Sequence, residues 1–175
     1  MSKRDQPGPK HFPIFESAVG IEGVIVQTAP RVFYETDNVL TEFHRNEWAG
    51  VFAPGEEITH LYTVYAPSGG IRKEWYFHEH TTDRYFVLLG RLDLGLYDGR
   101  NDSPSKGEFK VVSLGGSDSN LPNLIRIPQG VWHSLRWETP SGMFLNAKTP
   151  PYNSGWPDKF RVSPEDFPPV IRWNI

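Results

Sequence analysis

At 175 residues the chain is long enough for one domain of ordinary size with a substantial buried core, and a second domain is not expected. Its 18 basic and 21 acidic residues are interspersed and leave a net charge of −3, which argues against nucleic acid or an anionic membrane as a partner. The absence of cysteine excludes disulfides, thiolate nucleophiles and Cys-ligated zinc, and leaves His, Asp, Glu and Tyr for any chemistry.

No apolar run approaches the roughly 18 residues of a membrane span, and residues 1–8 lack a hydrophobic signal core, so a cytoplasmic location is expected. With 16 Gly, 16 Pro and 14% aromatics, the composition favours short strands and turns over helices. Residues 1–12 read as flexible. Apolar runs then predict strands at 24–26 and 61–65, followed by a continuous run at 85–89. Behind Gly90, Leu92, Leu94 and Leu96 alternate strictly and end at the turn pair Asp98-Gly99, so 84–97 is two strands or one bent strand. Residues 101–107 and 115–123 are loops, and 109–114, 124–127 and 143–145 are further strands. The proline-rich segment from Pro150 onward is expected to wrap irregularly over the strands, with one helical turn where Ser163 caps Pro164. Many short strands broken by turns suit a sandwich or small barrel.

The chemistry concentrates in Trp75-Tyr76-Phe77-His78-Glu79-His80 and in Pro128-Gln129-Gly130-Val131-Trp132-His133. Residues two apart on a strand share a face, so His78 and His80 are expected to aim into one cavity, with His133 as a third imidazole. With Asp83 nearby, this set would suit Fe, Mn, Ni or Zn, would equally serve metal-free catalysis, or would simply fill a polar interior. His11, His44 and His60 have no partners at ligand spacing and read as surface or packing residues. Trp75, Tyr76 and Phe77 could stack on a sugar or a base, or pack in the core. Arg72, Lys73, Arg84 and Arg126 could meet a diphosphate, although Arg84 and Arg126 could as well lie on an outer sheet face.

The strand-borne His-x-His, the later Gly90 and the Pro128-x-Gly130-x-x-His133 run resemble the two motifs of the cupin superfamily. Two departures are visible: fewer residues separate His80 from Asp83 than in the first motif, and Trp137 replaces the terminal Asn of the second. Within cupins the chain resembles the dTDP-4-dehydrorhamnose 3,5-epimerase family. The resemblance rests on Asp98-Gly99-Arg100 with Ser103-Pro104, Gly107 and Phe109, and on Ile127-Pro128-Gln129-Gly130-Val131-Trp132-His133. It also rests on 31–35 with 40–43, and on Val162-Ser163-Pro164-Glu165-Asp166.

The resemblance implies an all-β, double-stranded β-helix jelly-roll barrel over 1–175 as a single cupin domain, with short helical turns near the C-terminus and 150–175 packed on the barrel. It also implies a homodimer acting on a dTDP-4-keto-6-deoxyhexose, moving a proton next to the C4 ketone without a cofactor, in nucleotide-sugar biosynthesis. Residue by residue, Arg72 matches the arginine on the diphosphate, whereas Trp75 stands where the base is expected, so His78 or His80 would take that role. Asp166 would orient the base, His133 would hydrogen-bond the enolate oxygen, and Trp75, Tyr76 and Asn146 would contact substrate. Asn146 stands where the family has its proton-donating Tyr, and Asp83 where it has a Lys. The related dTDP-sugar 3,4-ketoisomerases carry paired histidines on this strand and a Trp-His in the second motif, like His78-Glu79-His80 and Trp132-His133, and shuttle the proton on one face without that Tyr. Two other readings stand beside these: a metal-dependent cupin enzyme holding Fe, Mn, Ni or Zn on His78, His80, Asp83 and His133 and acting on a small carbonyl or aromatic substrate, and a non-catalytic sugar-binding cupin.

Overall fold

Leu92, Leu94 and Leu96 lose all contact with solvent while the residues between them face away from the core, and this period of two organises the whole molecule. The computed structural model describes residues 17–29, 31–33, 39–44, 56–71, 74–116, 119–150, 154–163 and 166. In chain order the strands are β1 (Ser17–Ala18), β2 (Ile25–Gln27), β3 (Arg31–Phe33), β4 (Val39–Thr41), β5 (His60–Ala66), β6 (Gly70–Ile71) and β7 (Trp75–His78). They continue with β8 (Asp83–Leu89), β9 (Arg91–Asp98), β10 (Phe109–Gly115), β11 (Leu124–Ile127), β12 (Val131–Trp137), β13 (Gly142–Lys148) and β14 (Lys159–Val162).

One sheet runs β1-β2-β11-β8-β13-β5, and the other runs β10-β9-β12-β7-β14 with β6 attached to β12. Their inner faces meet in one core, where Tyr85 and Val87 of β8 and Phe144 of β13 pack against the three leucines of β9, Leu135 of β12 and Tyr76 of β7. This is the jelly-roll expected from the strand pattern, and the predicted strands recur within a residue or two of their expected bounds, except at 143–145, where β13 is longer. The opening pair expected at 31–35 and 40–43 is present as β3 and β4, which pair antiparallel.

Two turns explain sequence features. Gly90 joins β8 to β9 with φ +80, and a Cβ there would lie 2.4 Å from Thr139 Oγ1, so only glycine fits. The reversal expected at Asp98-Gly99 falls later: β9 runs through Asp98, and the chain turns over 101–107. Asp98 is the buried hub of that loop. It accepts from Arg100 Nε at 2.8 Å and Nη2 at 2.7 Å, and from the hydroxyls of Ser103 and Ser105 at 2.6 Å each. Burial would raise its pKa, but these donors outweigh burial and hold the carboxyl well below the usual range. The Asp-x-Arg-x-x-Ser spacing is therefore a loop lock.

The tail departs from expectation. Among the described residues it includes a regular strand, β14, which pairs with β7 over Lys159↔His78 to Val162↔Trp75 and places Phe160 in a stack on Phe77 at 4.9 Å. Hydrophobic residues at Phe160 and Val162 alternate with Lys159 and Arg161, which is what lets this segment extend the sheet. No helix occurs among the described residues. At the expected helical turn the backbone makes a single turn closed by Asp166 N–H to Ser163 O at 3.1 Å. Residues 1–12 lie outside the described residues, as does most of the chain beyond 163.

The leucine row carries a stability expectation. Leu94→Ala should cost about 2–5 kcal/mol because it leaves a cavity in the core, whereas Leu89→Ala, at a 45% exposed position, should change stability by about 0.5 kcal/mol or less. Equal effects in denaturant unfolding would contradict the assigned core.

Candidate functional site

On β7 the alternation points Tyr76 and His78 inward, and Trp75 and Phe77 outward. Trp75 is buried on the outer face against Tyr97, Phe109, Trp132 and Val162, so it packs and does not reach the interior. Tyr76 is inward but lies within the core, its ring 4.1 Å from that of His133 and its hydroxyl 3.2 Å from Tyr85 Oη. Of the three aromatics that could have stacked on substrate, Trp75 and Phe77 pack on the outer face, the latter against Trp132 and Phe160, and Tyr76 packs in the core.

His78 ends its strand, and the chain bends immediately afterwards. The bend is held by the tail: Asp158 Oδ1 accepts from the backbone N–H of His80 at 2.7 Å, and the carbonyl of Asp158 accepts from Glu79 N–H at 3.2 Å. The period of two breaks there, so the two imidazoles reach the same cavity as expected but at different depths. His78 is buried, whereas the side chain of His80 is 54% exposed at the rim, edge-on to Trp156 at 5.7 Å.

Behind His78 lies Asp83, 1% exposed, which collects five side chains from four strands, its own included. Its Oδ1 accepts from Asn146 Nδ2 at 2.9 Å and from Lys148 Nζ at 3.2 Å. Its Oδ2 stands 3.4 Å from Nε2 of both His78 and His133, and 3.3 Å from the hydroxyl of Tyr85. Burial would raise this carboxyl's pKa, but the contact with His133 and the charges around it prevail and hold it well below the usual range. Tyr85 moves the other way: burial, reinforced by Asp83, pushes its phenol up and keeps it neutral.

Lys148 was not anticipated. Its buried ammonium donates to His78 Nε2 at 3.1 Å as well as to Asp83. On its other side, His78 Nδ1 faces Asp158 Oδ2 at 3.4 Å, and neither atom has a hydrogen-bond partner, so a small rotation of the imidazole closes an Asp–His dyad. Burial lowers the His78 pKa to about 4, Lys148 adds to the effect, and Asp83 and Asp158 oppose it. The ring is therefore neutral near pH 7.

A cavity of about 680 Å³ opens in front of this group, within the range of small-molecule sites. His78, Lys148 and Asp158 line it, as do His60 and Tyr62 of β5, and His80 and Trp156 stand at its mouth. His60, expected to be bland, faces this cavity directly across from Lys148 in the β5–β13 register. In the same register Tyr62 is opposite Asn146, whose Nδ2 donates to the tyrosine hydroxyl at 2.9 Å. Asn146 also accepts from the backbone N–H of Arg84 at 3.1 Å. It is fully engaged in positioning Asp83 and Tyr62 and is not a substrate contact.

His133 is 1% exposed and does not line the cavity; its Nδ1 donates to the Val131 carbonyl at 3.0 Å. It supports Asp83 from behind and is not offered to the cavity. Asp166 is exposed and accepts from the Ser163 hydroxyl at 3.0 Å; the carboxylates beside His78 are Asp83 and Asp158. Arg84 and Arg126 converge on Glu56, the latter at 3.0 Å, so neither is offered to the cavity. Arg72 and Lys73 lie outside the described residues.

The expected metal set does not fit as it stands. His80 is at the rim, and an ammonium already sits between His78 and Asp83. Among the described residues no group of three or more His, Cys, Asp or Glu side chains is arranged to hold a metal ion.

No family model matches the chain. It is 36% identical over 107 residues to a spore coat polysaccharide biosynthesis protein of Bacillus subtilis, covering 60% of this chain and 68% of that protein. It is 29% identical over 138 residues to a probable low-salt glycan biosynthesis epimerase of Haloferax volcanii, covering 77% and 83%. Among solved structures, a dTDP sugar isomerase from Desulfovibrio desulfuricans superposes with a TM-score of 0.72 at 22% identity, covering 84% of this chain and 88% of that one. A dTDP-4-dehydrorhamnose 3,5-epimerase from Bacillus anthracis gives 0.70 at 16% identity, covering 85% and 82%. The TDP-quinovose 3,4-ketoisomerase of Campylobacter jejuni gives 0.60 at 15%, covering 81% and 95%.

The pH dependence of folding follows from His78. Its folded pKa, about 4, lies below the unfolded value of 6.5, so the unfolded chain takes up the proton first as pH falls. The stability tied to the neutral ring is complete above pH 6.5 and is lost by about pH 4, a change of about 3 kcal/mol. Urea unfolding of His78→Asn should show a flatter profile in that window; an unchanged slope would remove His78 as the titrating group.

Proposed function

We propose, because the chain belongs to the dTDP-4-dehydrorhamnose 3,5-epimerase-like family of cupins, that it acts on a dTDP-4-keto-6-deoxyhexose in nucleotide-sugar biosynthesis as an epimerase or isomerase. The observation that carries this reading is His78, neutral and buried, held between Asp158 and Lys148 at the wall of a sugar-sized cavity. A base next to a ketone needs three things: a lone pair aimed at the C–H, a positive group for the developing enolate oxygen, and a route for the proton to return.

In this reading Lys148 turns from His78 Nε2 to the developing enolate oxygen, which frees the Nε2 lone pair as the base, while Nδ1–H is directed to Asp158, which stabilises the imidazolium as it forms. A pKa of about 4 in the empty cavity makes the ring a weak base. Closing the contact to Asp158 favours the charged form and strengthens it. Lys148 supplies the positive charge at the enolate oxygen. Two returns are open. His78 can deliver the proton to the neighbouring carbon on the same face, which is isomerisation. Tyr62 can deliver it from the facing sheet, which inverts the carbon; its hydroxyl accepts from Asn146 and so keeps its own proton to donate. The displaced tyrosine, one strand over from Asn146, makes inversion the better supported outcome.

Homodimerisation and a cytoplasmic location belong to the same reading. No helix among the described residues is long and apolar enough to cross a membrane. β5 ends its sheet and exposes Leu61 and Tyr65, an edge suited to a second copy. Sedimentation should give a dimer, shifted towards monomer by Leu61→Glu with Tyr65→Glu; a monomeric wild type would remove the dimer.

Solvent deuterium exchange tests the chemistry. Incubation in D₂O should place deuterium at the carbon beside the C4 ketone, and His78→Asn should slow this by about 10²–10⁴-fold. Lys148→Met should slow it by about 10²–10³-fold. Tyr62→Phe should keep exchange while losing inverted product. No exchange at any carbon would leave a binding protein or another substrate.

A further inference from the structure

The register of β5 on β13 sets His60 opposite Lys148 and Tyr62 opposite Asn146. Thr59 closes the end of this ladder, its N–H and its hydroxyl both donating to the Lys148 carbonyl at 3.1 Å. Side chains directly opposite on one face of such a pair start about 4.5–5.5 Å apart. The His60 imidazole and the Lys148 stem therefore leave the wall as neighbours, and both line the cavity. A tilted contact with the Tyr62 ring, 5.0 Å between centroids, steadies the imidazole.

His60 differs from His78 and His133 in what surrounds its nitrogens. His78 stands between Lys148 and Asp158, and His133 between the Val131 carbonyl and Asp83. The buried Nδ1 of His60 has no hydrogen-bond partner. The partner of one ring nitrogen decides which nitrogen carries the proton, and nothing in this wall makes that decision. The ring edge can thus meet a ligand as donor or as acceptor. An unpaired buried nitrogen is also unfavourable to the fold, and Val64 on the same face of β5 shows that an apolar side chain packs there without that cost. The polar ring is accounted for by something that enters the cavity.

We propose that His60 receives the substrate's hydroxyl on carbon 3, next to the C4 ketone, and so selects for sugars that carry it; the inference rests on the sugar chemistry above. With the ketone oxygen at Lys148, the groups flanking it on a 4-keto-6-deoxyhexose are that hydroxyl on one side and a carbon bearing a methyl on the other. A hydroxyl is donor and acceptor at once and matches an imidazole free to be either, whereas a methyl offers neither. His60 is then a specificity residue that touches substrate beside the reacting carbon.

Two substrates distinguish this role from packing: a dTDP-4-keto-6-deoxyhexose and its 3-deoxy counterpart, each incubated in D₂O with wild type, His60→Leu, the closer-shaped His60→Phe and His60→Gln. Deuterium entry beside the ketone is read as kcat/KM. The two apolar variants should lose about 10-fold on the hydroxyl substrate and less than about twofold on the 3-deoxy one. His60→Gln, which keeps a donor and an acceptor, should recover most of the loss. Since Nδ1 makes no hydrogen bond within the fold, the variants should also melt within a few degrees of wild type. Equal losses on both substrates, or no loss on either, with wild type active would overturn the inference alone. A wild type that exchanges neither substrate would overturn the proposed reaction, and the inference with it.

Discussion

A single carboxylate determines how this molecule is built around its site. Asp83 is withdrawn from water, carries its negative charge, and receives Asn146, Lys148, Tyr85, His78 and His133 from four strands including its own. Separating one partner of such a buried pair costs about 3–5 kcal/mol, so the arrangement constrains the strands as well as the chemistry. The two sheets can close only in a register that delivers all these groups to one point. Burial keeps His78 neutral, and Lys148, which already matches Asp83, adds to that effect.

The same constraint separates support from reaction. His133 and Asn146 have their polar atoms committed to Asp83, Val131, Arg84 and Tyr62, and they fix positions. His78, Lys148, Tyr62 and Asp158 present theirs to the cavity. His78 stands across the barrel from Tyr62 in the sense that matters for stereochemistry: His78 hangs from β7 of one sheet, and Tyr62 from β5 at the edge of the other, next to the β13 strand that carries Lys148.

Most of the fold was legible because alternation is a local signal. The runs at 92–96 and 124–127 state their own conformation, and Gly90 marks the one bend that glycine alone permits. The histidine pair shares a cavity but not a depth, because period two holds only while the strand lasts, and β7 stops at His78 under the grip of Asp158, a residue 80 positions later with no periodic context of its own. Lys148 did carry a signal. It has the inward parity of Phe144 and Asn146 on a strand otherwise apolar, and a lysine on such a face requires a buried anion to receive it. Tyr62 shares that parity with His60 and Val64, but its link to Asn146 depends on strand pairing that no local pattern discloses.

The tail strand has a consequence for the order of events in the cell. Every strand of the two facing sheets except the edge strand β14 ends by residue 148, whereas the carboxylate facing His78 Nδ1 arrives with Asp158, just ahead of β14. During synthesis the barrel can close, and its leucine core can form, before that partner has left the ribosome. A nascent chain would thus acquire its shape first and its oriented base last, so a pool of newly made molecules could be folded by every bulk measure while still chemically idle.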